Sequence, residues 1–415
     1  MQKKTIFKII SCCLIAALVL LLVFAYTHLL PQPEADRDRA SITILTYKNI
    51  PLSTLDGFHT EYPDYEINIE RYPKENYLAF LETKLTQEGS VDIIELPTEA
   101  YLEYIEEDRL LPISSMALFT RIRQEALEYL QTLSGTSAYY GVPYQSDYLG
   151  IWYNVSLFEK YGLEPPDSLE HFLEACRLFS QEKISPLAVG LADSDAANNL
   201  LSLFTAESFS SASQPATAGT GFAGLDASAC QEALQACYDM QEQGYLSEAC
   251  FYMTNDQAFE AFLNSSYAMA VAPESSIAMI NDGVLQQIDI GVCGFHVSSG
   301  EAAGSVIGSP VDSVLCISSS SQNTDLCRVF LDYYTKYDTV FQYIDDTRTM
   351  TNLQNYTVDS KLAAAWARIK DQDCYVPEEH FYISPFVCDA DTYALPRKLF
   401  CNLVTPQEFT AGLTS

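Results

Sequence analysis

Residues Ala138–Tyr161 read AYYGVPYQSDYLGIWYNVSLFEKY, and their pattern is the most informative in the chain. A strand-like run ends at Pro143, polar residues follow, and the apolar run Leu149–Asn154 has the composition of a second strand. Because proline restricts the backbone at the point between these runs, we interpret the stretch as a stiffened crossing between two structural lobes.

Strand-like and helix-like segments alternate on the N-terminal side of this crossing. The strand-like segments are SITILTY (Ser41–Tyr47), EINIERY (Glu66–Tyr72) and VDIIEL (Val91–Leu96). Apolar residues at helical spacing separate them, as in Leu78, Leu81 and Leu85. This alternation predicts an α/β fold with a mostly parallel sheet and helices on its faces.

Length and charge limit the number of lobes and the kinds of partner. Beyond Ala40, 375 of the 415 residues remain, more than one hydrophobic core usually organises. The chain has 23 basic and 55 acidic residues, a net charge of −32, and the acidic residues are spread along it. We therefore expect two lobes with a solvated, repulsive surface, and no nucleic-acid partner.

The N-terminal segment predicts a membrane location. Ile9–Leu30 is a run of 22 residues without formal charge, which at about 1.5 Å per residue spans a hydrocarbon core of roughly 30 Å. Three lysines precede it, so residues 1–8 should stay in the cytoplasm. We predict that residues 9–30 form an uncleaved transmembrane anchor and residues 31–40 a linker, leaving the remainder extracellular. The alternative is a signal segment that is cleaved, with secretion of the protein.

Cysteines and catalytic motifs favour neither a metal site nor an enzyme. Ten cysteines lie in the predicted extracellular part without a C-x-x-C spacing, which argues against zinc and leaves any disulfide pairing open. Cys12 and Cys13 lie at the near end of the apolar run, where a lipoprotein signal would need a cysteine at its far end. The common hydrolase, P-loop and dinucleotide motifs are missing. We expect no cofactor and no catalysis, although a carboxylate pair for glycoside hydrolysis stays possible.

Four stretches of the chain carry a family resemblance: ITILTY, VDIIEL, SYAMAVAPESS and, most specifically, YYGVPYQSDYLGIWYNVSLFEKYGLEPPDSLEHF. Together they resemble the bacterial extracellular solute-binding proteins of the maltose-binding type, which are substrate-binding proteins of ABC transporters with the periplasmic-binding-protein fold. The likeness covers about Ser41 to Leu413.

The resemblance implies a two-lobed, Venus-flytrap clamp that closes on a small solute. The first lobe would comprise about 41–142 and 297–335, and the second about 145–290 and 337–415. The solute, classically a sugar or oligosaccharide, would pass to an ABC transporter permease, with the N-terminal helix holding the protein at the membrane. Two alternatives remain: a ligand sensor of the same fold with a membrane partner, and a secreted glycan-active hydrolase.

The resemblance also implies a set of cleft-lining residues. Those that match are Tyr47, Lys48, Glu95, Tyr144, Asp147 and Tyr153, to which we add Glu274, Ser275, Ser309 and Asp312. Aromatic faces cover the apolar side of a sugar, while carboxylates bind its hydroxyl groups. Sugar-binding members of the family often have tryptophan where this chain has Ser275, so peptides, amino sugars and other polar solutes stay open as ligands.

Overall fold

The computed structural model describes residues 40–86, 91–209, 230–294, 306–347, 349, 351–354, 375–377 and 394–413. The predicted anchor Ile9–Leu30 lies outside these residues. Within the described part, no helix combines the length and apolar composition that crossing a membrane requires.

One long strand, β4, passes through both lobes. It spans Gly141–Asn154, so the expectation that a strand ends at Pro143 is wrong. Pro143 is accommodated because the pairing with the neighbouring strand is irregular immediately after it, between Pro143 and Gln145 and again between Gln145 and Asp147. Proline lacks a backbone N–H and is tolerated where the ladder is interrupted.

A second long strand, β8 (Val306–Ile317), returns antiparallel to β4. Its later half pairs with Gly141–Pro143, and its earlier half pairs with Asp147–Leu149. These two crossing strands join the halves of one sheet. Its strands lie in the order β2 (Tyr65–Arg71), β1 (Ala40–Thr46), β3 (Ile93–Pro97), β8, β4, β6 (Met269–Pro273) and β5 (Leu187–Ala188), with β7 (Ile290–Cys293) on β4 and β9 (Tyr375–Pro377) on β8. The sheet is mixed, although β1 pairs parallel with both β2 and β3 as predicted. The antiparallel part exists because one crossing strand leaves the first lobe and the other comes back.

Each lobe has its own hydrophobic core. The first lobe contains β1 (Ala40–Thr46), α1 (Leu52–Glu61), β2 (Tyr65–Arg71), α2 (Tyr77–Leu85), β3 (Ile93–Pro97), α3 (Thr98–Glu106), α4 (Gln124–Ser134), α11 (Thr324–Tyr334) and α12 (Tyr337–Thr347). The second contains α5 (Val155–Tyr161), α6 (Leu169–Gln181), β5 (Leu187–Ala188), α7 (Ser194–Phe209), α8 (Gln231–Asp239), α9 (Asn255–Leu263), β6 (Met269–Pro273), α10 (Asp282–Leu285), β7 (Ile290–Cys293), α13 (Leu395–Phe400) and α14 (Pro406–Leu413). The short strand β9 (Tyr375–Pro377) pairs with the start of β8.

The lobe boundary predicted at residue 337 is wrong for helix α12. Its buried residues Val340, Tyr343 and Ile344 pack in the core of the first lobe. Only Thr335 and Lys336 separate α12 from α11, which is too short a connection to carry the chain out of that lobe. The C-terminal helices α13 and α14 do pack in the second core, through residues such as Leu399 and Phe409.

Local sequence explains where the helices around the second lobe begin and end. The Asn154 side chain accepts a hydrogen bond from the backbone of Leu157 at 3.1 Å and caps α5 directly after β4. Gly162 ends α5 with φ 67°, a left-handed conformation that glycine adopts without strain. Thr254 and Gln257 form a reciprocal capping box at the start of α9.

Candidate functional site

The two cores meet on β4 between Tyr144, which packs in the first, and Tyr148, which packs in the second. Residues 145–147 therefore pass through the junction of the lobes. A set of polar side chains gathers there on the first-lobe side, and we call it the junction cluster: Thr46, Lys48, Glu95, Gln145, Asp312 and Ser313.

Lys48 lies at the centre of the junction cluster. Its ammonium forms an ion pair with Asp312 on β8 and donates a hydrogen bond to Gln145 Oε1 on β4 at 3.0 Å. Glu95 Oε1 lies 4.0 Å from the same nitrogen. About a fifth of the Lys48 side chain and a quarter of the Asp312 side chain remain exposed to solvent. One cation thus contacts both crossing strands.

Thr46 at the end of β1 and Glu95 on β3 contribute the remaining contacts of the cluster. The Thr46 hydroxyl donates to Glu95 and accepts from the backbone N–H of Lys48 at 2.8 Å, which orders the turn that presents the lysine. Ser313 on β8 donates to Glu95 Oε1 at 2.7 Å. Glu95 is only 6% exposed. Its carboxylate therefore has the hydrogen bonds that a buried charge requires.

Electrostatics favour an ionised Asp312 beside neutral phenols. Burial alone would raise the pKa of Asp312, but attraction to the Lys48 and Lys74 ammonium groups outweighs burial and lowers that pKa. Burial raises the pKa of Tyr47, and the charges of Asp312 and Glu95 raise it further. The site therefore combines carboxylate acceptors with one ammonium donor.

Two of the predicted tyrosines lie in the first core next to the cluster. Tyr47 packs edge-on against Tyr77 with ring centroids 5.0 Å apart, and Lys48 Nζ lies 5.9 Å from the Tyr47 centroid. Tyr144 packs against Tyr334 and Tyr343, with centroids at 4.3 and 5.1 Å. Both tyrosines are less than a tenth exposed, so their rings form part of the first core next to the polar cluster.

The second lobe contributes Glu274 at the end of β6. Glu274 is 1% exposed, and its carboxylate accepts a hydrogen bond from Ser146 at 3.3 Å. Ser146 directly follows Gln145, so a carboxylate of the second lobe lies one residue along β4 from the junction cluster. Ser275 follows Glu274 and is exposed.

Of the other predicted residues, Asp147 and Ser309 are paired positions on the two crossing strands. Tyr153 lies six residues beyond Asp147, about 20 Å along an extended strand, and packs against Phe158 at a centroid distance of 5.0 Å. It belongs to the periphery of the second core and does not join the cluster.

Sequence reasoning missed three cluster members, the neighbouring serine and one supporting tyrosine: Thr46, Gln145, Ser313, Ser146 and Tyr343. Gln145 and Ser146 stand in the polar step QSD of the crossing stretch, which could have drawn attention to them. Tyr343 carried no such signal. It receives a hydrogen bond from Gln145 Nε2, and only the packing of α12 in the first lobe brings the two together.

Metal ligation finds no support in the described residues, where no group of three or more His, Cys, Asp or Glu side chains could hold an ion. The eight cysteines for which the structure gives a state are free thiols: Cys176, Cys230, Cys237, Cys250, Cys293, Cys316, Cys327 and Cys401.

Two lobes joined by crossing strands, with polar side chains at their junction, define a solute-binding protein of the Venus-flytrap class. The sequence matches the family model of bacterial extracellular solute-binding proteins over residues 54–369. The chain belongs to this family. A comparison with curated proteins gave no significant match.

Solved structures of bacterial binding proteins share the fold. A putative binding protein of Bacillus subtilis, solved in an open conformation, has a TM-score of 0.74 at 15% identity, and the match covers 91% of this chain and 97% of that one. The protein RafE in complex with raffinose has a TM-score of 0.72 at 17% identity, covering 90% and 97%. A sugar transporter protein of Bacillus licheniformis in complex with stachyose has a TM-score of 0.70 at 16% identity, covering 90% and 98%. At these identities the likeness establishes the fold alone.

Proposed function

We propose that this protein captures a small polar solute between its lobes, most favourably a sugar or oligosaccharide, and delivers it to an ABC transporter. The observation that carries the proposal is the junction cluster, in which Lys48, Glu95 and Asp312 converge where the crossing strands pass from one core to the other. Ligands of two-lobed α/β proteins bind in the crevice between the lobes, where such side chains lie.

The chemistry of the cluster suits hydroxyl-rich ligands. The carboxylates of Asp312 and Glu95 accept hydrogen bonds from sugar hydroxyls, and the Lys48 ammonium donates to them. In the structure these groups are paired with one another. A ligand must therefore replace contacts of comparable strength, which favours solutes that present several hydroxyl groups at once and disfavours apolar ones.

Family and fold support a saccharide over other polar solutes. Two of the similar proteins were solved with raffinose and with stachyose. The exposed Ser275 stands where sugar binders often have tryptophan, so in this chain tyrosines would have to supply the stacking surface. Glu274 would face the ligand from the second lobe when the lobes close.

Attachment to the membrane through Ile9–Leu30 forms part of the proposal. A receptor tethered beside its transporter stays at a high local concentration. A sensor of the same fold would use the same tether, and the two roles differ in the partner: a neighbouring permease gene favours transport, and a neighbouring sensor-kinase gene favours sensing.

Thermal unfolding of the full-length chain in neutral detergent tests the function. A ligand present at a hundred times its Kd stabilises the folded state by about 2.7 kcal/mol. We expect at least one member of a panel of raffinose-type and chitin-type oligosaccharides to raise the Tm without forming products. Product formation would establish a hydrolase instead. If only peptides raised the Tm, the saccharide assignment would be wrong.

A further inference from the structure

Helices α1 and α12 enclose a groove of about 1010 Å³ on the first lobe. The helices run antiparallel, because the Ser53 hydroxyl donates to Asp346 at one end and Lys336 pairs with Glu61 at the other. None of the junction cluster residues lines this groove. It is therefore a second concave surface, separate from the proposed solute site.

Gly57 and Tyr333, which both line the groove, pack closely against each other. Gly57 lies in the middle of α1, and a Cβ added there would collide with the Tyr333 hydroxyl, so only glycine allows the close approach of α11. That hydroxyl donates to the backbone oxygen of Thr54 at 3.2 Å. The side-chain oxygen of Thr54 is buried, and no hydrogen-bond partner is found for it. Because this oxygen is buried, it lies beneath the surface of the groove and offers no contact to an occupant.

The two helices that enclose the groove present exposed apolar side chains. Tyr337 lines the groove, and Leu52 and Phe341 lie on the same helices next to lining residues. Leu52 on α1 is 77% exposed, and Tyr337 and Phe341 on α12 are 62% and 54% exposed. Tyr337 and Phe341 are four residues apart and so share one helical face. Two helices of one lobe thus present three large apolar side chains to solvent, a feature that marks interaction surfaces.

The same two helices are rich in exposed carboxylates, which favours a positively charged partner. Five exposed carboxylates lie on them: Asp56, Glu61, Asp338, Asp345 and Asp346. The Lys336 ammonium, at the start of α12, is committed to Glu61. Within the described part of the chain, Asp56, Asp338 and Asp345 have no ion pair. Asp56 and Glu61 on α1 and Asp338 on α12 line the groove together with Lys336. The three carboxylates outnumber that ammonium, so the lining has a net negative charge that favours an external cation.

We propose that this groove docks a basic amphipathic segment of a partner polypeptide. Lysine or arginine side chains of the segment enter between Asp56 and Asp338. Its apolar side chains pack on Leu52, Tyr337 and Phe341. This combination of an apolar strip with flanking charges is how amphipathic helices are recognised in grooves, and the charge complementarity sets the orientation and the association rate.

Titration of the full-length chain in uncharged nanodiscs with two fluorescent peptides tests the proposal. One is a synthetic amphipathic helix of leucine and lysine, and the other replaces each lysine with glutamate. We expect the lysine peptide to bind and the glutamate peptide not to bind. The double variant Asp56→Lys/Asp338→Lys should weaken the lysine peptide by about tenfold or more.

A matched control is Glu103→Lys/Glu106→Lys, which reverses two exposed carboxylates on α3, a helix that does not line the groove. This variant has the same net charge as Asp56→Lys/Asp338→Lys, which we call the groove variant. It should keep most of the affinity for the lysine peptide. Equal losses in both variants would overturn the proposal in favour of a general charge effect. It would also be overturned if neither peptide bound or if both bound equally. A saccharide-induced rise in Tm should persist in the groove variant, since that site is separate.

Discussion

The ammonium of Lys48 and the carboxylate of Asp312 form an ion pair between positions 264 residues apart. The pair connects the turn after β1 to crossing strand β8, while the hydrogen bond from Lys48 to Gln145 connects the same turn to crossing strand β4. The first lobe therefore holds both crossing strands at the point where they leave its core. Any solute that binds at the junction has to compete with these contacts.

Replacing Lys48 by methionine should weaken solute binding and lower stability. The change keeps the apolar stem and removes the cation that Asp312 and Glu95 face. Because both partners of the ion pair are partly exposed, we expect a loss of about 1–2 kcal/mol in unfolding free energy and roughly a tenfold loss in affinity for the solute. Urea unfolding and calorimetric titration measure the two effects. Lys160→Met, at an exposed lysine on α5, is the control and should change neither quantity, and unchanged affinity in Lys48→Met would remove this lysine from the site.

The stability contributed by Asp312 should disappear in acid. Its pKa is lowered in the folded protein, so the ionised group stabilises the fold above the ordinary carboxyl pKa of about 3.9 and loses this effect as the pH falls through the folded value. The difference in unfolding free energy between the unmodified chain and Asp312→Asn should be constant from pH 7 to about pH 5 and shrink below about pH 4. A difference that grew in acid would contradict the lowered pKa.

Alanine at Gly190 should destabilise the second lobe. A Cβ at this position, just after β5, would collide with the backbone of Thr254 and Asn255 at the start of α9. Backbone cannot rotate away as a side chain can, so we expect a loss of about 2–3 kcal/mol in unfolding free energy. Gly283→Ala, where the nearest atom is the end of an exposed asparagine side chain, should be neutral or slightly stabilising. Similar changes in unfolding free energy for the two variants would show that the chain after β5 can move away from α9 at little cost.

The N-terminal segment should tether the protein. Cell fractionation should place the chain in the membrane fraction, with a mature N-terminus near Met1 and the remainder accessible to protease from outside. Deleting residues 1–30 should keep the protein in the cytoplasm. A soluble extracellular form that begins beyond Thr27 would instead identify the segment as a cleaved signal.

Sequence patterns predicted the fold class because the spacing of apolar residues depends on the local secondary structure. Alternation of apolar strands and helices indicated the α/β architecture, and the stretch from Ala138 to Tyr161 indicated the crossing. The same patterns could not show that β4 continues through Pro143, since an irregularity in a ladder depends on the partner strand β8, more than 160 residues away. The lobe predicted for α12 was likewise wrong, because an apolar helical face does not indicate which of two cores it packs against, and only the structure shows Val340, Tyr343 and Ile344 in the first core.

The amino-acid sequence was enough to predict an acidic, two-lobed α/β protein of the solute-binding family and, through the family resemblance, to name Lys48, Glu95 and Asp312 as cleft-lining residues. The three-dimensional structure was needed to show that these three converge, that Gln145, Thr46 and Ser313 complete the cluster, and that Tyr153 lies away from it. The physical reason is that side-chain convergence depends on long-range strand pairing. Lys48 and Asp312, 264 positions apart, meet only because β1, β3 and β8 are successive strands of one sheet.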